Sequence, residues 1–229
     1  MRIINFIVLF ILSTLSYSYE VNAASYRSLQ RKCENIMKDN PTKIRVYYNF
    51  GNLYIDETKT TDQIKEIYKQ HIRETNLTVN GVTLFNEYNK MNLSAKQVPL
   101  DDNYYCIYPE TINYFIGYED TKLYLSSEML KDSCRYNQVK RHEENHIDFA
   151  HITLLISAKS IKNKLQEITK ELKPTISNDP QENQAQVFIK IYNDLLQPTI
   201  NVFRGALVQQ QQQLDTLENY EYETSICPQ

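Results

Sequence analysis

His142-Glu143-Glu144-Asn145-His146 is the segment of this chain whose residue types and spacing could do chemistry. It reads H-E-x-x-H. Two imidazoles four positions apart project from the same side of one helical turn. A zinc ion can then take a nitrogen from each at about 2.0–2.1 Å. Glu143 is rotated by about 100° around the helix axis from His142, which lets it reach a water on such an ion. Zinc lowers the pKa of that water to about 7, and the carboxylate would take its proton and pass it to a leaving amine. His142 and His146 are therefore expected as zinc ligands, and Glu143 as general base and acid of a metallohydrolase acting on a peptide or protein substrate.

A catalytic zinc needs a third protein ligand. His151 would extend the motif to H-E-x-x-H-x-x-x-x-H, but nine residues of continuous helix turn through about 900°, to the side opposite His142. Glu182 has the right type for an acidic ligand on a second helix. The turn from Pro174 to Pro180 places it near the far end of a helical hairpin, about 27 Å out of register with His146. The acidic tail, with Asp215, Glu218, Glu221 and Glu223, can return to the motif if the last helices run back along the first, and a tail residue is the favoured third ligand. The alternative for that tail is a solvated charged end.

The elements that must position the motif follow from periodicity. Lys43 to Phe50 alternates and is rich in Val, Ile and Tyr, which predicts a strand, and Gly51-Asn52 could turn the chain into a second, Leu53 to Asp56. Thr60-x-x-Gln63 is a capping-box pattern, followed by Ile64, Ile67, Tyr68 and Ile72 at helical spacing, so Thr61 to Glu74 is expected as a helix. Asn80-Gly81 is a turn signal. Tyr104 to Tyr108 and Thr111 to Tyr118 read as strands, and Glu119-Asp120 is expected to turn the chain into Lys122 to Leu125. Either of the last two could receive an extended peptide by strand addition.

From Asn137 the pattern becomes helical. Val139, Ile147, Ala150, Leu154, Ile161, Leu165 and Ile168 form one apolar stripe, ending near Lys173 because Pro174 cannot continue it. Pro180 suits the first turn of a helix running to about Leu196. A third helix is expected from about Thr199 to Asn219, with Gln209 to Gln213 as a solvated face. The expected fold is α+β: a small, mostly antiparallel sheet in a β-containing half (about 40–135), then the motif helix and further C-terminal helices (about 137–220).

The first residues stand apart. Met1-Arg2, the apolar run Ile3 to Leu12 and Val21-Asn22-Ala23 give the layout of a secretory signal peptide over 1–23. The run is too short for the roughly 20 residues of a spanning helix, so no stable membrane span is expected after cleavage. Residues 24–229 would form a single zincin-like domain, secreted or periplasmic. The four cysteines, Cys33, Cys106, Cys134 and Cys227, all lie beyond that segment, and an even number in an exported chain suggests two disulfides. Cys106–Cys134, bracketing a hairpin, and Cys33–Cys227, tying the ends, are the preferred pairing. Asn76 and Asn92 open glycosylation sequons. A formal net charge of −3 over 229 residues speaks against a strongly basic nucleic-acid binder, and no nucleic-acid partner is expected.

The order of Val46-Tyr47-Tyr48, a helix opened by Thr60/Thr61, Cys106 before strands, Lys122-Leu123-Tyr124-Leu125 and His142-Glu143-x-x-His146-Ile147-Asp148-x-Ala150 resembles a bacterial family of predicted secreted zinc-dependent proteases, catalogued as a domain of unknown function. The resemblance implies a peptidase. Members tend to end in Tyr-Asp-x-x-Thr-x-His-Gly. Tyr220-Glu221-Tyr222-Glu223-Thr224 resembles the first half of that signature, while Ile226 and Cys227 replace its His-Gly. A reading from another class is a non-enzymatic exported binding or envelope-associated domain with a degenerate or structural metal site.

Overall fold

The computed structural model describes residues 25–72 and 78–227, without the side chains of 180–184 and 195. The expected leader (1–23) and the Asn76 sequon lie outside the described residues. Element order is α1 (25–39), β1 (Lys43–Asn49), β2 (Asn52–Asp56), α2 (Thr61–His71), β3 (Gly81–Pro99), β4 (Tyr105–Leu125), α3 (Cys134–Glu171), β5 (Thr175–Ser177) and α4 (Pro180–Ile189). A π-wound stretch (Lys190–Leu196), α5 (Gln197–Leu214) and α6 (Leu217–Ser225) complete it. The fold class is α+β as expected.

The sheet differs from the expectation. Its five strands are arranged around β4, which pairs with each of the other four. β2 runs parallel to β4, with Asn52 opposite Asp120 and Asp56 opposite Tyr124, whereas β5 is antiparallel to it. The sheet is thus mixed, not mostly antiparallel. Glu119-Asp120 makes no turn, because Asp120 and Thr121 are held in the ladder by Asn52 and Leu53. β3, 19 residues long, was not foreseen from Asn80-Gly81, and its polar composition hides it. Gly117, with φ +154°, allows Asn49 to pass close: a Cβ there would lie 2.1 Å from the Asn49 carbonyl oxygen.

The chain groups into two compact units, and β3, β4 and α3 each contribute to both. One takes the described residues up to Lys43, then Leu93–Ile112 and Ile168–Ile191. Its core is Cys33, Leu100, Cys106 and Tyr108, packed by Leu29, Ile36, Met37, Val98 and Ile176. The Cys33–Cys106 disulfide sits in that core.

The other unit takes Ile44–Asn92, Asn113–Glu167 and the chain from Tyr192. Here α3 buries Ile147 with Leu123, Leu125 and Tyr136, and Ala150 and Leu154 with Tyr118. These are stripe positions read from the sequence, and Ile161 and Leu165 are buried as well, as is Ile168, which falls in the first unit. α3 opens at Cys134 rather than Asn137, where Ser133 Oγ accepts from the Tyr136 amide. α2 has the expected capping box: Thr60 Oγ1 accepts from the Gln63 amide, and Gln63 Oε1 from the Thr60 amide. Ile64, Tyr68 and Val82 form the core beneath it.

The disulfide pairing corrects the expectation. The bonds are Cys33–Cys106 and Cys134–Cys227. The preferred Cys106–Cys134 bond needed a hairpin, and β4 runs from Tyr105 to Leu125 without one. Each cysteine instead bonds within its own compact unit. Two disulfides fit an oxidising environment outside the cytoplasm. Among the described residues no helix is long and apolar enough to cross a membrane.

A non-reducing peptide map should recover Cys33–Cys106 and Cys134–Cys227 and no mixed pairs. Cys33→Ser/Cys106→Ser should lower stability in denaturant titration by about 2–5 kcal/mol, as removal of a native disulfide does.

Candidate metal centre

His142 and His146 lie on one face of α3 and are buried, at 3% and 7% exposure. Their rings meet edge to face with centroids 4.8 Å apart. The two Nε2 atoms are 3.2 Å apart, and Asp215 Oδ1 lies 3.2 Å from each. Three ligand-type atoms thus make a near-equilateral triangle. Tetrahedral zinc with bonds of about 2.0–2.1 Å sets neighbouring ligand atoms about 3.3 Å apart. His142, His146 and Asp215 therefore form a cluster that could hold a metal ion.

Asp215 reaches the histidines because the expected third helix is broken. α5 ends at Leu214 and α6 begins at Leu217, with Asp215 as the C-cap of the first. Thr216 caps α6, its Oγ1 accepting from the Asn219 amide at 3.2 Å. Asn219 Nδ2 donates to the free Leu214 carbonyl at 2.9 Å. A hydroxyl and an amide thus satisfy backbone groups that a continuous helix would have paired itself. Asp215-Thr216 carried this signal in the sequence as a residue type favoured at helix N-termini.

The outward nitrogens are held too. His142 Nδ1 lies 3.1 and 3.2 Å from the two oxygens of Glu223, and His146 Nδ1 is hydrogen-bonded to Gln211 Oε1. Gln211 Nε2 donates back to the His146 carbonyl at 3.1 Å. Acceptors on both Nδ1 atoms select the tautomer with the proton there, leaving the Nε2 lone pairs facing Asp215. Tyr220 Oη donates to Asp215 Oδ1 at 2.8 Å, and its ring lies 5.0 Å from that of His142. The Gln209 to Gln213 tract is thus not merely a solvated face: Gln211 fixes His146, and Gln210 Oε1 accepts from Thr153.

The tail acids divide by distance. Asp215 joins the triangle, Glu223 backs His142, and Glu218 and Glu221 are exposed. His151 packs against Phe50, with ring centroids 4.4 Å apart, and is not in the cluster. Glu182 stands on α4, and its side chain lies outside the described residues.

Glu143 is buried at 5% exposure, and its Oε2 accepts from Thr83 Oγ1 at 2.9 Å. Gly81 leaves room for it: a Cβ there would lie 2.8 Å from Glu143 Oε1 and 2.7 Å from Val139. Sequence reasoning assigned no site role to Thr83, Gly81, Gln211 or Tyr220: the first three meet partners some sixty positions away, and Tyr220 meets Asp215 only through the break between α5 and α6. Two cavities meet at Tyr68, Gly81, Glu143 and Tyr220, one extending toward His142 and Glu223, the other, of about 440 Å³, toward His146 and Asp215.

The cluster carries a surplus of acid. Burial pushes the His142 pKa down, but the hydrogen bond to Asp215 and the charges of Glu143 and Glu223 outweigh it and raise it to about 9. His146 is raised for related reasons, its bond to Asp215 and the Glu143 charge overcoming burial. Asp215 falls well below the usual carboxylate range despite its burial, because both histidines and Tyr220 hydrogen-bond to it. Burial drives Glu143 up against the opposing pull of His146 and His142. Three carboxylates around two imidazoles favour added positive charge, whether as protons or as a metal ion.

In metal-free protein this linkage has a definite sign. The His142 pKa is about 9 in the folded chain against an ordinary 6.5, so its contribution to stability is complete below pH 6.5 and is lost as pH rises toward 9. With a chelator present, the melting temperature should fall across that window, and Asp215→Asn should flatten the fall. An unaltered profile in that variant would show that the pair does not form. Comparisons of the chain with protein-family models, with curated proteins and with solved structures returned no match.

Proposed function

We propose that this protein is an exported zinc-dependent hydrolase, most directly a peptidase, in which His142, His146 and Asp215 hold the metal and Glu143 is the general base. The observation that carries the reading is the triangle of three ligand-type atoms 3.2 Å apart, His142 Nε2, His146 Nε2 and Asp215 Oδ1, backed by acceptors on both Nδ1 atoms. Without metal the raised histidines hold protons toward Asp215; a cation at the centre of the triangle would replace those protons and meet all three atoms at once. Two imidazoles and one carboxylate are a ligand set used for catalytic zinc, which keeps a further position open. The resemblance of the motif region to predicted secreted zinc-dependent proteases points the same way. The two disulfides agree with export.

A bound zinc supplies a Lewis acid and a water acidified to a pKa of about 7. The remaining steps belong to the chain's own groups. Glu143 Oε2 is anchored by Thr83, which leaves Oε1 to take a proton from the attacking water and return it to the leaving amine. Its burial raises the carboxyl's affinity for that proton, bringing acid and base roles closer to neutral pH. Gly81 keeps backbone rather than side chain beside Oε1. Tyr220 orients the Asp215 carboxylate, while Glu223 and Gln211 fix the ring planes of His142 and His146. Partners of this kind typically contribute 10- to 100-fold in metal affinity.

Purified full-length mature chain should bind close to one zinc by elemental analysis. His142→Ala, His146→Ala and Asp215→Ala should each lose it. Glu143→Gln should retain zinc and lose peptide hydrolysis by roughly 10²–10⁴-fold. Zinc retained with hydrolysis undiminished in Glu143→Gln would remove the base. Stoichiometric zinc without hydrolysis of a broad peptide mixture would favour a structural metal in a binding domain.

A further inference from the structure

The cavity on the His142 side, about 160 Å³, is lined by Gly81, Arg135, Gln138, His142, Glu143 and Tyr220 among others. Arg135, Gln138 and His142 share one face of α3, three and seven positions apart. Arg135 is the one Lys or Arg among the residues lining that cavity. Its Nη1 donates to two neutral groups, Gln138 Oε1 and Thr224 Oγ1, each at 3.1 Å. Among the described residues no carboxylate pairs with it. A guanidinium carries five N–H donors, and among the described residues Nε and Nη2 have no protein acceptor; the side chain is exposed, so these donors are open to a ligand. Beside it Gln138 Nε2 is buried and has no hydrogen-bond partner among the described residues. A buried amide without an acceptor is costly unless a bound molecule supplies one.

We infer that Arg135 and Gln138 form an anion subsite that receives a carboxylate of the substrate, so that the enzyme prefers peptides with an acidic group close to the bond it cleaves. This rests on the zinc-peptidase reading above. The subsite suits a carboxylate because a guanidinium fork binds one in two parallel hydrogen bonds, and the Gln138 amide adds a third donor at its edge. Its position fits as well. Seven residues of α3 rise about 10 Å, and an extended peptide advances about 3.4 Å per residue. An anionic group two or three residues from the reacting carbonyl therefore comes level with Arg135. The carboxylate can be the chain's C-terminus or an Asp or Glu side chain; both present the same planar pair of oxygens.

The segment that fixes Arg135 is itself clamped. Cys134 is bonded to Cys227, and Thr224, which accepts from Arg135, lies on α6 with Tyr220 and Glu223. One helix thus braces both the subsite and the outer side of His142. Arg135 touches no group of the metal cluster in the hydrogen-bond pattern, so its removal should spare metal binding.

The test uses the zinc-loaded full mature chain carrying Glu143→Gln, so that bound peptides are not cleaved. A pool of random tetrapeptides is presented as free acids and as C-terminal amides, distinguished by isotope, and the retained peptides are read by mass spectrometry. Retention should favour free acids, or amides containing Asp or Glu, by about tenfold over neutral amides; which of the two prevails separates a terminal from a side-chain carboxylate. Arg135→Met should abolish the preference, and Arg135→Lys should restore part of it, both with zinc content unchanged. Equal retention of acidic and neutral peptides on zinc-loaded protein, or a preference that survives Arg135→Met, overturns the subsite alone. Absence of zinc from the protein, measured on the same samples, overturns the reading on which it rests.

Discussion

Three electronegative atoms are held 3.2 Å apart in a buried pocket, and the arrangement around them depends on that repulsive geometry. Without a metal ion, protons on the histidines offset that repulsion. The three atoms stay together because each ring is fixed from behind, His142 by Glu223 and His146 by Gln211, while Tyr220 fixes Asp215. The acid surplus shows in the raised histidine pKa values, and the hydrogen bonds from both rings and Tyr220 lower that of Asp215. A preorganised cluster of this kind would avoid much of the cost of gathering ligands around a cation.

The supports come from distant parts of the chain. α3 supplies the two histidines and Glu143, β3 supplies Thr83 and Gly81, and the α5–α6 junction supplies Gln211, Asp215, Tyr220 and Glu223. Two local features hold that junction in place. Thr216 and Asn219 stop and restart the helix, and the Cys134–Cys227 bond ties the end of α6 to the start of α3. Without the helix break, Asp215 would continue along the α5 surface instead of capping it. The break is therefore as much a part of the centre as the motif is.

Glu143 shows how packing and chemistry are joined. Its burial raises its proton affinity, its contact with Thr83 fixes one oxygen, and the missing side chain at Gly81 leaves room for the other. Each effect is modest alone. Together they describe a carboxylate held in one orientation, which is what general base catalysis requires.

The amino-acid order by itself determined the local features. These are the spacing of His142, Glu143 and His146, the apolar stripe of α3, the Thr60–Gln63 capping box and the composition of an acidic tail. They depend on contacts within a few residues, where helical periodicity and capping chemistry act. Tertiary structure alone decided which tail acid meets the histidines, that Gln211 leaves its polar tract to hold His146, which cysteines bond, and that β4 passes Glu119-Asp120 without turning. Those outcomes depend on ladder partners and packing neighbours dozens of positions away, such as Asn52 opposite Asp120. A polar residue's type does not reveal whether water or a distant side chain will be its partner.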